Sequence, residues 1–401
     1  MRRLGEIVDN DGAKRLLDGL RILDFSQTWT GPTTTRQFAD WGAVVLKVET
    51  PERPDIMRLS SPFKGEVKDT LDSSAIFAVL NTNKLSLTID LKTEEGRGQL
   101  LRLLKWADVV IESFAPGVAK RLGIDYESAR QVNPEVIVLS HTLLGQTGPY
   151  SALRGMGFLT SAMSGWQSAT RYGDDSTPFG PYSAYGDFIS WGFMALSILA
   201  ALERRRKTGH GVYIDQAQME SSTFFALHTL ADAWVNGAGE AGGSNSHALF
   251  VPHGCYPCVG SDNWCAIAVT SEQEWQRFCD ALGQPEWVSK HPTISLRVRG
   301  RHEIDRDLSA WTSKQKVDDV VGRLRDYDVL AEKVHKASDV VSNERLGRHA
   351  FRRLPHPVMG DYLTLLSAFR MWDTPEPHLR PAPMMGEHND QLGSIIQDSG
   401  S

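Results

Sequence analysis

The sequence predicts an α/β protein: a Rossmann-like large domain with a parallel sheet, joined by a smaller α+β domain. Three observations carry that expectation. Strand and helix patterns alternate through the first 150 residues. The composition changes near residue 220 and is soon followed by the glycine-rich stretch Asn236–Asn245. The tail Phe351–Glu387 is rich in proline and short strand patterns and reads as a return to the first domain. The large domain is therefore expected at 1–220 and 336–401, and the small domain with its linkers at 221–335.

The elements follow in order. Leu20–Phe25 is a strand pattern that opens into a loop at Ser26, Gly31-Pro32-Thr33 breaks the chain, Thr34–Trp41 suits a short helix, and Ala43–Val48 is a buried apolar strand. Together they make one βαβ unit. A second comes from the helical pattern Glu94–Trp106 followed by Asp108–Glu112, and a third from Tyr126–Gln131 followed by Val136–Leu139. The loops between them are rich in Gly, Pro, Ser and Thr, and in open parallel sheets ligands collect at the carboxyl ends of the strands. A long helix runs from Gly186 through Leu202, then a turn at Lys207–Gly211 leads to the strand Val212–Asp215. Its apolar run, Trp191–Leu202, stops at Glu203 and the basic cluster Arg204–Lys207. That is short of the roughly 20 residues that cross a bilayer, so a buried helix and no membrane partner are expected.

Composition narrows the function. The 401 residues carry 43 Lys+Arg against 49 Asp+Glu, a formal charge of −6, which excludes the basic surplus that drives non-specific nucleic-acid binding. A polyanionic ligand must then be held by a local site. The four cysteines, Cys255, Cys258, Cys265 and Cys279, fall in one short region. Cys255 and Cys258 have CxxC spacing, but no second pair matches them, although His247 and His253 lie close by; they read as small hydrophobes, with no metal site. There is no P-loop, no HExxH, no GxSxG and no GxGxxG after the first strand; Gly237–Gly242 matches the last letters but reads as a loop. The start, Met1–Glu6, has two arginines with no apolar stretch behind them, and a cytoplasmic protein is expected.

Seven segments in order then resemble the class III CoA-transferase family, which includes formyl-CoA:oxalate and carnitine CoA-transferases and the 2-methylacyl-CoA racemases. They are Leu17–Phe25 with Gly31-Pro32; Ala39–Glu49; Asn83–Thr93; Ala107–Glu112 with Phe114–Gly117; Gly145–Pro149; Tyr185-Gly186-Asp187; and Gly386-Glu387-His388. The resemblance implies a homodimer of interlocked rings, each subunit with a discontinuous large domain and a small domain between its halves. It implies CoA and acyl-CoA as substrate, a free carboxylic acid as second substrate, and no permanently bound cofactor.

Transfer of CoA to a carboxylate needs a nucleophile that can become an anhydride and then a thioester, which a carboxylate does reversibly. Asp187 matches the family's catalytic aspartate; read without the resemblance, it is an N-cap, as most Asp residues placed before a helix are. Gly186 would let an acyl group approach, and the helix N-terminus would favour the ionised form. By resemblance the CoA contacts fall at Trp29, Thr30, Ile89, Asp90, Leu91, Lys92, Ser113, Phe114, Ala115, Arg121 and Thr142. Arg121 suits a phosphate, since a guanidinium makes a bidentate fork; the alternative is a solvated helix arginine. Where formyl-CoA transferase carries an arginine after its Lys-x-Glu strand, this chain has Thr50, which passes that role to Arg53 or Arg58. Lys84 and Lys92 read as surface lysines. Gly242 and Gly243 resemble the family's glycine loop over the site. Trp29, Trp166, Tyr182, Tyr185 and Phe188 suggest room for an apolar or aromatic acid, or a dicarboxylate.

The family racemases pair the aspartate with a histidine, and the corresponding position here is Met156, which cannot accept a proton. A racemase, kept open by His141, and a CoA-binding subunit of a hetero-oligomeric transferase are the alternatives. His141, His253 and His388 read as structural.

Overall fold

Six strands, β1 (Arg21–Phe25), β2 (Val44–Glu49), β3 (Leu85–Thr88), β4 (Val109–Glu112), β5 (Ile137–Thr142) and β6 (Val212–Ala217), pair in parallel in the order β3-β2-β1-β4-β5-β6. This is the doubly wound order, in which the order of strand addition reverses between β1 and β4 and opens a crevice at their carboxyl ends. The computed structural model describes residues 15–64, 71–170, 184–237, 245–343, 350–372 and 374–397.

Both faces of the sheet are covered at its centre, so the central strands read as continuous apolar runs. Leu23, Leu46, Leu87, Val110 and Val138 meet Leu100, Leu103 and Leu104 of the helix Glu94–Trp106 on one face. Ile22, Val45, Val109, Ile111, Ile137 and Leu139 meet Phe38, Met194 and Ile198 on the other. The first helix begins at Thr30, not Thr34. Gly31-Pro32 therefore lies inside its first turn, where a missing N–H breaks no helical bond. The strand β3 escapes a reading by pattern because Leu-Ser-Leu-Thr is four residues long with two hydroxyls. The long helix spans Tyr185–Thr208 and is extended enough and apolar enough to cross a membrane by composition; here Met194 and Ile198 are fully buried along the sheet. The tail covers the β3 edge: the His388 N–H donates to Ser86 O (3.1 Å), and His388 Nδ1 accepts from Ser86 N–H (3.2 Å).

The chain divides into two compact units, Met1–Arg171 with Ser176–Ala241 and His349–Ser401, and Tyr172–Asp175 with Gly242–Arg348. The second unit holds three antiparallel strands, β7 (His253–Pro257), β8 (Trp264–Ala268) and β9 (Leu330–Lys333). Cys258, Cys265 and Cys279 are buried in its core with Trp275 and Phe278, while Cys255 is exposed.

Candidate active site

The sequence-predicted contacts that fall on described residues gather on one edge of the six-stranded sheet. Trp29 and Thr30 follow β1, Arg53 follows β2, Ile89–Lys92 follow β3, Ser113–Ala115 and Arg121 follow β4, and Thr142 ends β5. The helix carrying Asp187 runs antiparallel to β6, which puts its N-terminus at the same edge. Gly242, Gly243 and Tyr182 lie outside the described residues.

The loop after β1 is held from below by buried charge. Asp24 Oδ1 accepts from the Ser26 N–H (3.0 Å), Lys47 Nζ donates to Ser26 O (2.6 Å), and Asp55 Oδ1 accepts from the Thr28 N–H (3.0 Å). Across the crevice the Gln27 N–H donates to Ser113 Oγ at 2.9 Å, which ties the β1 loop to the β4 loop. Lys84 is not a surface lysine: it is buried and paired with Asp24 at 2.9 Å. Burial alone would raise the Asp24 carboxyl, but Lys84, Lys47 and two hydroxyls outweigh it and hold it at about 2. The spacing of these charges along the sequence gave no sign that strand pairing brings them together.

Arg58 also departs from expectation. Its guanidinium is fully buried, donates to both oxygens of Glu49 and to Asp72 (2.6 Å), and lies 3.7 Å over the Phe77 ring. All its donors face inward, so it braces the β2 loop and offers nothing to a phosphate. Ile89 likewise buries its side chain in the core and presents only its backbone. Arg53, Lys92 and Arg121 are exposed. Arg121 makes one long bond, 3.3 Å to Gly117 O, which leaves the rest of its fork open. The Thr142 hydroxyl has no partner among the described residues.

Asp187 lies in the first turn of its helix, but Ala184 is the N-cap and the carboxyl makes no capping bond. Its main chain is joined to the first helix, where Thr30 Oγ1 donates to Asp187 O at 3.3 Å and the Trp29 ring packs 4.6 Å from Phe188. The carboxylate Oδ1 accepts from Gln218 Nε2. Gly157 faces the other oxygen so closely that a Cβ there would stand 2.6 Å from Oδ2. Burial raises the Asp187 carboxyl above its ordinary value against the opposing Gln218 bond, so the helix N-terminus does not settle its ionisation. Gly186 is not an opening for an acyl group either: a Cβ there would meet Thr160 Oγ1 at 2.6 Å and Ser222 Oγ at 2.7 Å, so it serves helix packing.

Sequence reasoning missed Gln218 and Gly157. Gln218 has a faint signal, a polar residue straight after a strand at the binding edge; Gly157 has none beyond its neighbour Met156. Met156 is exposed beside that glycine, and His141 is buried and held neutral, its burial lowering it to about 4. No described contact joins His141 to Asp187.

Comparison with known proteins decides the lineage. A sequence model described as CoA-transferase family III matches residues 17–389. The chain belongs to CoA-transferase family III. It is 33% identical over 392 residues to "Probable CoA-transferase Rv1866" of Mycobacterium tuberculosis, covering 94% of this chain and 47% of that protein, so it spans about half the length of this relative. With the succinyl-CoA–D-citramalate CoA-transferase of Chloroflexus aurantiacus it shares 28% identity over 383 residues, covering 94% and 93% of the two chains. The crystal structure of a CaiB/BaiF family protein from Brucella suis matches with a TM-score of 0.86 at 27% identity, covering 96% of this chain and all of that one. The protein is an enzyme of the CoA-transferase type, a family that uses CoA and acyl-CoA as substrate, on a mixed α/β fold with a six-stranded parallel sheet.

Proposed function

We propose that this family III enzyme moves CoA from an acyl-CoA donor to a free carboxylic acid with Asp187 as the nucleophile. One observation carries the reading: at the carboxyl edge of the sheet, beside the β1 loop, Asp187 holds a half-buried carboxyl that neither caps its helix nor joins an ion pair among the described residues.

Asp187 Oδ2 attacks the donor thioester carbonyl; the C–S bond breaks, CoA leaves as thiolate, and a mixed anhydride forms. The thiolate attacks Cγ of Asp187, breaks the anhydride C–O bond and releases the donor acid, leaving an aspartyl-CoA thioester. The acceptor carboxylate attacks that thioester and expels the thiolate, which finally takes the acceptor acyl group and restores the carboxylate. The exposed Arg53 and Arg121 flank the crevice at β2 and β4 and suit the CoA phosphates. Trp29 and Phe188 suit an apolar or aromatic acid.

A homodimer is part of the proposal. The helix Leu227–Asn236 buries none of its residues, and Trp234 is 87% exposed and Val235 71%, apolar surface that a second copy would cover. The four free cysteines suit a reducing cytoplasm.

The test is incubation with a panel of acyl-CoA donors, trapping with hydroxylamine or borohydride, and mass spectrometry of the peptide containing Asp187. The reading requires label on that peptide and loss of exchange in Asp187→Ala; full exchange in that variant refutes it.

A further inference from the structure

We propose that Gln218 is the oxyanion donor for the carbonyl of Asp187 itself: its amide N–H holds Oδ1, the oxygen that gathers negative charge whenever Cγ of the aspartyl anhydride or thioester is attacked. This rests on the reading of Asp187 as nucleophile.

Gln218 is the first residue of the helix Gln218–Phe225, directly after β6, and is 1% exposed. A buried amide needs both ends satisfied. Its Nε2 donates to Asp187 Oδ1, and its Oε1 lies 3.4 Å from the Thr160 hydroxyl, whose single proton it shares with Gly157 O at 2.8 Å. The orientation is dictated by charge, because an ionised carboxylate only accepts. Among the described residues Oδ2 accepts no hydrogen bond. The two oxygens are therefore distinguished before any substrate arrives: Oδ2 is the free nucleophile, and Oδ1 becomes the carbonyl oxygen of every covalent intermediate.

The second half of the reaction then runs against this donor. The acceptor carboxylate attacks Cγ of the aspartyl-CoA thioester, the carbonyl π pair moves onto Oδ1, and the Gln218 N–H meets the new oxyanion. Collapse restores the carbonyl and breaks the C–S bond, and the pair leaves on the CoA thiolate. Gln218 neither gains nor loses a proton. A neutral amide suits the task better than a lysine would, since a cation would hold Asp187 as an ion pair and blunt its attack.

Gln218→Met removes the donor at nearly constant volume. We expect kcat to fall 100- to 1,000-fold, the scale for loss of an oxyanion donor, with the KM for acyl-CoA within threefold. The acid limb of the rate profile should move to higher pH, because the ionised carboxylate loses its only described donor. Among the described residues the groups facing Asp187 from neighbouring helices are Thr30, Gly157 and Gln218, none titratable, so the limb is assigned to Asp187. Thr160→Val keeps the amide but loosens it, and should cost about tenfold in kcat with a smaller shift of the limb; it serves as the test if Gln218→Met does not fold. Either folded variant with kcat within twofold and an unmoved limb overturns the proposal. Asp187→Ala is run alongside: if it still exchanges CoA the underlying reading fails, whereas an inactive Asp187→Ala with a fully active Gln218→Met refutes only the role of Gln218.

Discussion

Adding one methyl group at Gly157 should disable the enzyme while sparing the fold. The new Cβ would stand 2.6 Å from Asp187 Oδ2, 2.7 Å from its Cγ and 2.7 Å from the Ala184 Cβ. Ordinary contact begins near 3.4 Å, so the deficit is about 0.8 Å, and it falls on the carboxyl and on the residue that starts its helix. Asp187 can turn away, or the Gly157–Met163 helix can back off. Overpacking of this kind costs about 1–3 kcal/mol. A misplacement of about 1 Å in a reacting group costs on the order of 100-fold in rate. For Gly157→Ala we therefore expect kcat for CoA exchange to fall about 100-fold, with a cooperative thermal transition and acyl-CoA binding by calorimetry both retained. A Gly157→Ala enzyme with wild-type kcat would refute the argument that this glycine sets the position of the nucleophile.

Four further outcomes follow. Because burial raises the Asp187 carboxyl, the acid limb of kcat/KM should lie above the unperturbed value of 3.8, activity being lost as pH falls through it; a limb at or below 3.8 contradicts the burial argument. Arg58→Met should lower stability to urea by about 3–5 kcal/mol, since it strands the buried Glu49 charge. Arg121→Ala, an exposed residue, should instead raise the KM for acyl-CoA in a salt-dependent way with no change in the thermal midpoint. Gly98→Ala, on the exposed face of the Glu94–Trp106 helix with nothing within 4 Å of the new Cβ, should add about 1 kcal/mol to stability in urea titration and leave exchange unchanged.

The parallel sheet was legible because its central strands are buried on both faces, and runs such as Val109–Ile111 and Ile137–Leu139 show this directly. The helix Glu94–Trp106 was legible to the residue because Thr93 caps it, accepting from the Gly96 N–H at 3.0 Å, with two glutamates in its first turn. The strand β3 was not, for it is defined by pairing Leu46–Glu49 with Leu85–Thr88 more than by its own composition. Arg58 shows the opposite error. The family resemblance passes a phosphate role to Arg53 or Arg58, but Glu49, Asp72 and the Leu71 carbonyl fold onto Arg58 from both sides in sequence and turn its donors inward.

By itself the sequence determined the α/β class, the alternating order of elements and the family, because these follow from local periodicity and from motifs that survive in linear order. It also marked Asp187, through the motif Tyr185-Gly186-Asp187. Only the tertiary structure decided how that carboxyl is held. Gln218 and Gly157 reach it from 31 and 30 positions away along the chain, through strand order and helix packing. Hydrogen bonds and close contacts of this kind depend on distances in space, which no spacing along the chain records.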